Sequence, residues 1–69
     1  MMIAKHRKQK ALLQTRYPKA DLIKLHPKHG YWQVIFYPPI KYMTHGVEIA
    51  FDPDGDGPDG LEELGRTEY

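Results

Sequence analysis

The chain has 69 residues, no cysteine and a formal net charge of +1. A chain of this length forms one domain with a small core, because it buries only about 60% of its unfolded surface. The lack of cysteine excludes disulfides and thiolate chemistry and favours a reducing compartment. No apolar run approaches the roughly 18 residues that span a bilayer, and the N-terminal segment lacks the apolar part of a signal peptide. We therefore expect a cytoplasmic protein with no membrane partner.

The charge is divided unevenly along the chain. Residues 1–30 carry a net charge of +7, and residues 31–69 carry −6. Such a split predicts either an interaction arm of each sign or two halves that neutralise each other in the fold.

Residues 2–16 predict an α-helix, because they contain no Gly or Pro and are rich in good helix formers. Pro18 ends this helix, since proline disfavours helical backbone at the residue before it and has no N–H to donate. The apolar residues that we expect to pack on the rest of the fold lie at its C-terminal end: Leu12, Leu13 and Tyr17.

Three strands are predicted after the helix. Residues 20–26 alternate between apolar and polar side chains, residues 31–37 are rich in aromatic and β-branched residues, and residues 42–51 alternate again. Turns rich in Pro and Gly separate them. Alternation then predicts one apolar face, formed by Ile23, Leu25, Trp32, Val34, Phe36, Val47, Ile49 and Phe51.

The predicted fold class is α+β, with the helix covering one face of a three-stranded antiparallel sheet (αβββ) in a single domain over residues 1–51. Residues 52–60 read as a loop, and residues 61–64 could form one helical turn at most. Residues 52–69 together predict an acidic, Gly/Pro-rich, flexible C-terminal tail. The other sheet face is left open in this arrangement.

Part of the chain resembles a known small domain. A helix ending in Tyr17-Pro18-Lys19-Ala20, an alternating strand, a turn, the segment Gly30-Tyr31-Trp32-Gln33-Val34 and a third strand closing in Asp52 are similar to the PepSY-type domain. The resemblance spans about residues 9–55. It implies a non-catalytic module that binds or inhibits a partner protein.

The acidic segment after the third strand resembles an EF-hand calcium loop. It follows the pattern D-x-D-x-D-G with a glutamate six residues after the glycine. The candidate ligands are carboxylates and one backbone carbonyl, which suit Ca²⁺: Asp52, Asp54, Asp56, Pro58 and Glu63. The alternative is a disordered acidic tail that matches the pattern through its many Asp and Gly residues.

The sequence favours a protein that is not an enzyme. It contains neither serine nor cysteine, so the usual hydrolase nucleophiles are missing, and nearly all its acids lie in the predicted tail. His26 and His29 share a proline-containing turn without well-spaced metal-ligating neighbours, which favours a solvated turn. No cofactor is predicted, apart from calcium as the candidate ion of the acidic loop.

We expect the open sheet face and the adjacent basic helix to bind a protein partner, as an adaptor or inhibitor of the kind found among small phage and accessory bacterial proteins. Aromatic residues support this expectation, since they dominate interface hot spots. The predicted partner-binding residues are Lys24, Tyr31, Gln33, Ile35 and Tyr37. Self-association through the same face, giving a homodimer, is also open.

Nucleic-acid binding is the alternative function. It would use a basic patch on the helix, which could follow a phosphate backbone while tyrosines stack on bases. The patch consists of Lys5, Arg7, Lys8, Lys10 and Arg16. A calcium-binding module built on residues 52–63 is the third hypothesis.

Overall fold

The computed structural model describes residues 4–37 and 46–68, which form a helix packed on a four-stranded antiparallel sheet. The strands follow one another in chain order across the sheet. This confirms the α+β class. The elements are α1 (Ala4–Arg16), β1 (Leu22–Leu25), β2 (Trp32–Phe36), β3 (Val47–Asp52), a short 3₁₀ helix (Pro58–Gly60) and β4 (Glu62–Glu68).

Helix α1 ends at Arg16, two residues before Pro18, as the sequence predicts. Leu13 is fully buried, and Tyr17 packs against the core. Leu12 is 36% exposed, so its predicted place in the core is wrong. Successive helical residues point about 100° apart, and the helix buries Gln9 and Leu13, one turn apart, instead of the adjacent Leu12 and Leu13. None of the described helices is long and apolar enough to cross a membrane.

The inner face of the sheet, which packs on α1, is the apolar face predicted by alternation. Trp32 lies opposite Leu25 on β1 and Phe51 on β3, and Val34 lies between Ile23 and Ile49. Trp32, Val34, Ile49 and Phe51 are each at most 3% exposed. The part of the predicted third strand before Gly46 lies outside the described residues.

The turn between β1 and β2 is closed by His26. Its Nδ1 accepts hydrogen bonds from the backbone N–H groups of Lys28 (3.2 Å) and His29 (3.1 Å). The chain then reverses at Gly30, whose φ of 70° lies in the left-handed region that glycine adopts without steric cost. The predicted turn at residues 26–30 is therefore ordered by a side-chain acceptor.

The C-terminal segment is a fourth strand, so the prediction of a three-stranded sheet with a flexible tail is wrong. Strand β4 pairs with β3, from Val47 opposite Glu68 to Asp52 opposite Glu62. Leu61, which we expected in a helical turn, is a buried core residue at 5% exposure. All seven residues of β4 are exposed, so backbone pairing with β3 orders a segment that has no apolar alternation.

A buried amide side chain joins the helix, the sheet and the acidic loop. Gln9 is only 1% exposed. Its Oε1 accepts a hydrogen bond from Trp32 Nε1 (3.0 Å), and its Nε2 donates to the carbonyl oxygens of Pro53 (2.8 Å) and Asp59 (3.0 Å). Both N–H groups of the amide and its oxygen are thus satisfied, as burial requires.

The loop backbone adopts a special conformation where it meets this amide. Asp59 has a φ of 58° and Gly60 a φ of 81°. A Cβ atom on Gly60 would lie 3.1 Å from the carbonyl oxygen of Pro53 and 3.3 Å from Gln9 Nε2. Glycine at this position therefore allows the loop to approach α1 closely enough for the hydrogen bonds to form.

We expect Gln9→Leu to destabilise the protein by about 3 kcal/mol, because it leaves the buried indole N–H and two loop carbonyls without partners. Urea unfolding followed by the fluorescence of the single tryptophan, Trp32, measures this loss. Gln14→Leu is the matched control, since Gln14 is an exposed glutamine of the same helix. Equal midpoints for the two variants would contradict a structural role for the Gln9 amide.

Candidate functional site

The face of the sheet that α1 does not cover is the candidate site, and we call it the outer face. Cross-strand register places two rows of residues on it: Lys24, Gln33, Ala50 and Gly65 in one, and Leu22, Ile35, Glu48 and Thr67 in the other. Tyr31 and Tyr37 flank β2 and continue its alternation on this side. The five predicted partner-binding residues therefore share one face, which no described helix or strand covers.

Tyr31 belongs to a stack of rings at one end of the outer face. Its ring lies 5.0 Å from that of His26, with an interplanar angle of 21°, and 6.4 Å from that of His29. The two histidine rings lie 4.8 Å apart. Tyr31 is half-buried as a result, and the turn that His26 closes holds its ring in position.

Tyr37 lies at the opposite end of β2 and is 57% exposed. Its backbone N–H donates a 2.7 Å hydrogen bond to the carboxylate of Asp21, and the N–H of Asp21 donates to the carbonyl of Ile35 (2.9 Å). The segment that precedes β1 thus holds the backbone at Tyr37 while its side chain stays accessible. Ile35 is half-buried beside it.

Gln33 is the residue of the outer face with an unmet hydrogen-bonding requirement. It is 8% exposed, and its Nε2 donates to Glu48 Oε1 at 3.0 Å. Its buried Oε1 has no hydrogen-bond partner among residues 4–37 and 46–68. An unpaired buried acceptor costs about 1–3 kcal/mol, so this oxygen lowers the stability of the isolated protein.

A shallow hollow of about 280 Å³ lies on the outer face above β3 and β4. Ala50 and Gly65, which pair across the strands, contribute small or absent side chains, and Tyr31, Leu64 and Thr67 also line the hollow. Leu64 is 56% exposed. It has no partner in the pairing register, because Ala50 lies opposite Gly65 and Phe51 lies opposite Glu63. Sequence reasoning missed the contribution of β4, because its residues carry no alternating hydrophobic signal.

Part of the basic patch predicted on α1 lies against acidic residues of the loop. Lys5 forms an ion pair with Asp54, and Lys8 lies 3.8 Å from the carboxylate of Asp59. The guanidinium of Arg16 lies 5.8 Å from the centre of the Phe51 ring, in a cation–π contact. Arg7 and Lys10 make no ion pair with the residues that the structure describes. The acidic loop thus lies against part of the basic helix, as the neutralisation hypothesis predicts.

The five proposed calcium ligands are distributed over strands β3 and β4 and the segment between them. Asp52 Oδ1 accepts a 2.9 Å hydrogen bond from the N–H of Asp54, whose own carboxylate pairs with Lys5. Asp56 is exposed, Pro58 begins the 3₁₀ helix, and Glu63 lies on β4. Within residues 4–37 and 46–68, no group of three or more acidic or histidine side chains is arranged to hold a metal ion. Calcium binding stays a prediction.

Two acids of this region are held in their charged form by basic neighbours. The hydrogen bond from Lys5, together with its charge, lowers the pKa of Asp54 below its ordinary value of 3.8. The Arg66 guanidinium, which donates two hydrogen bonds to Glu63 at 3.1 and 3.2 Å, lowers the pKa of that carboxyl group. Both pairs are exposed to solvent, so each contributes little to stability.

Comparisons with known proteins identify no relative. No protein-family model, curated protein or solved structure matches the chain. The similarity to the PepSY-type domain therefore stays a prediction, and the geometry of the outer face carries the functional argument.

We expect Lys5→Met to raise the pKa of Asp54 towards 3.8, because it removes the hydrogen bond and the charge that hold this pKa low. Since the pKa of Asp54 is lowered in the folded protein, the ion pair contributes stability above the ordinary pKa and loses it as the pH falls through the lowered value. Carboxyl-carbon NMR titration of both proteins measures the change. An unaltered Asp54 titration in the variant would contradict the docking of the loop on α1.

We expect Gln33→Met to change stability by less than about 1 kcal/mol, because removal of the unpaired buried oxygen offsets the loss of the Nε2 hydrogen bond to Glu48. Urea unfolding measures the effect. A loss of more than about 2 kcal/mol would show that the Gln33 amide as a whole stabilises the isolated protein.

Proposed function

We propose that this protein is a non-enzymatic protein-binding module, an adaptor or inhibitor, that engages its partner through the outer face. The observation that carries the proposal is the distribution of exposed apolar side chains. Among the described residues, three large hydrophobic side chains are exposed, and two of them, Tyr37 and Leu64, lie on or beside the outer face. A concentration of such side chains on an uncovered face is typical of an interaction surface.

The outer face has the anatomy that protein interfaces require. Tyr37 offers a rigid aromatic side chain whose burial contributes much area at low entropic cost. Ile35 and Leu22 add apolar surface beside it, and Lys24 provides charge at the rim.

The positions of the charges favour a protein partner over a nucleic acid. Asp54 and Asp59 lie beside Lys5 and Lys8, where their carboxylates would repel a phosphate backbone approaching the helix. Glu48 lies on the outer face itself, and it lines the same hollow as Tyr31, one of the tyrosines that would have to stack on bases. A polypeptide, which carries both signs of charge, is compatible with this arrangement.

In-cell photo-crosslinking tests the proposal. A photoreactive phenylalanine analogue replaces Tyr37 in one variant and Leu12, the exposed apolar residue of α1, in the control. We expect the analogue at position 37 to crosslink a defined protein, which mass spectrometry identifies, and the analogue at position 12 not to do so. Crosslinks to nucleic acid, or equal protein crosslinks from both positions, would contradict the proposal.

With the crosslinked partner purified, Tyr37→Ala should weaken its binding by about tenfold or more, because a central aromatic contact contributes about 1.4 kcal/mol or more. Leu12→Ala is the matched control and should change the affinity by less than about twofold. Isothermal titration calorimetry measures both, and repeating it with added Ca²⁺ or at higher salt tests the calcium and nucleic-acid hypotheses directly. Equal affinities for the two variants would place the interface elsewhere.

A further inference from the structure

We propose that the free edge of β4 accepts an extended, basic segment of the partner protein as a fifth strand, with one apolar side chain of that segment seated in the hollow over Ala50 and Gly65. The inference rests on the proposed function and names the chemistry of the partner. It also assigns a binding role to β4, the strand that the sequence pattern does not reveal.

Strand β4 has the properties of an acceptor edge. It is the last strand of the sheet, pairs with β3 on one side, and has no described strand on the other. It is seven residues long and fully exposed, so a row of backbone N–H and C=O groups faces away from β3. Pairing with an extended peptide satisfies these groups, which is the basis of strand addition in peptide recognition.

The opposite edge of the sheet combines three protective features that β4 lacks, whereas β4 has only its charged side chains and its register shift. Strand β1 has only four residues, carries Lys24, and is followed by Pro27. Short length, lysine and nearby proline are the usual features that prevent pairing of an edge strand. Strand β4 contains neither proline nor lysine, and its register shift at Leu64 places an exposed leucine beside the hollow.

The hollow supplies the side-chain recognition that strand addition needs. Gly65 lies opposite Ala50, so the surface dips where neighbouring positions carry larger side chains. A Cβ atom on Gly65 would meet nothing within 4 Å, and its backbone is not in the left-handed region. In the isolated protein, neither packing nor backbone conformation requires glycine at position 65. A side chain bound in the hollow would require it, because a larger residue would fill the space. Gln33, with its unpaired Oε1, is the neighbour of Ala50 on the next strand.

The charge of the edge selects a basic segment. Strand β4 carries Glu62, Glu63 and Glu68 against one cation, Arg66, which pairs with Glu63 within the strand. The other two glutamates, Glu62 and Glu68, lie at the two ends of β4, and Glu62 lies opposite Asp52 on β3. A lysine or arginine at either end of the incoming strand therefore meets a carboxylate, whereas an acidic strand is repelled.

The same charges disfavour a second copy of this chain at the edge. Strand β4 carries three glutamates against one arginine, so the pairing of two β4 edges brings two acidic strands together. We therefore expect the isolated protein to sediment as a monomer.

Amide NMR and hydrogen exchange with a defined peptide test the inference. The probe is a seven-residue peptide of alternating lysine and valine, the length of β4. We expect it to shift the amide signals of residues 62–68 and to slow the exchange of those amides that point away from β3. A copy of the peptide with a methyl group on every backbone nitrogen, which cannot donate hydrogen bonds along either edge, and a glutamate–valine copy should each bind at least about tenfold more weakly.

Two variants locate the site. Gly65→Val fills the hollow and should weaken peptide binding about tenfold or more, with stability unchanged. The double change Glu62→Lys and Glu68→Lys should reverse the preference from the basic to the acidic peptide. Asp56→Lys, a charge reversal at an exposed residue of the loop, is the matched control and should leave the preference for the basic peptide intact.

The outcomes separate this inference from the proposed function. If the basic peptide does not protect β4, or the N-methylated peptide binds equally well, strand addition is wrong. If the crosslinked partner loses affinity with Tyr37→Ala but not with Gly65→Val, the outer-face function stands and the role of β4 is overturned. A dimer in sedimentation, with the outward-pointing amides of β4 protected from exchange in the absence of peptide, would assign the edge to a second copy and overturn the proposal.

Discussion

The side-chain amide of Gln9 holds the helix, the central sheet and the acidic loop in their relative positions. Its three hydrogen bonds join Trp32 on β2 to the carbonyls of Pro53 and Asp59. Because the amide is buried, losing any partner leaves a desolvated polar group, which costs more than the net gain of an ordinary hydrogen bond. The loop that it anchors leads directly into Leu61 and β4, so the end of the chain returns to the sheet at a defined position.

Because the loop docks on α1, opposite charges from the two halves of the chain pair with each other. Lys5 and Lys8 meet Asp54 and Asp59 across the contact between α1 and the loop. These exposed pairs add little stability, but they give the helix surface a mixed charge. The outer face keeps its apolar and aromatic side chains uncovered by any described element. It is therefore the candidate binding surface.

Sequence patterning was accurate where the apolar signal is periodic, and it failed where other forces order the chain. The alternation of Trp32, Val34 and Phe36 correctly predicted the inner face of β2. The same reasoning placed Leu12 in the core and overlooked Gln9, because hydrophobicity does not reveal a glutamine buried by fully satisfied hydrogen bonds. Strand β4 was missed because its order comes from backbone pairing with β3, and its exposed side chains resemble those of a disordered tail.

The sequence by itself determined the α+β class, the end of α1 before Pro18 and the face of the sheet that is apolar, since proline geometry and side-chain alternation are local properties. It also placed the five candidate binding residues on the opposite face. Only the tertiary structure decided the fourth strand, the burial of Gln9, the ion pairs between the chain halves and the hollow over Ala50 and Gly65. Each of these depends on contacts between residues far apart in the chain, and local sequence patterns carry no record of which distant groups will meet.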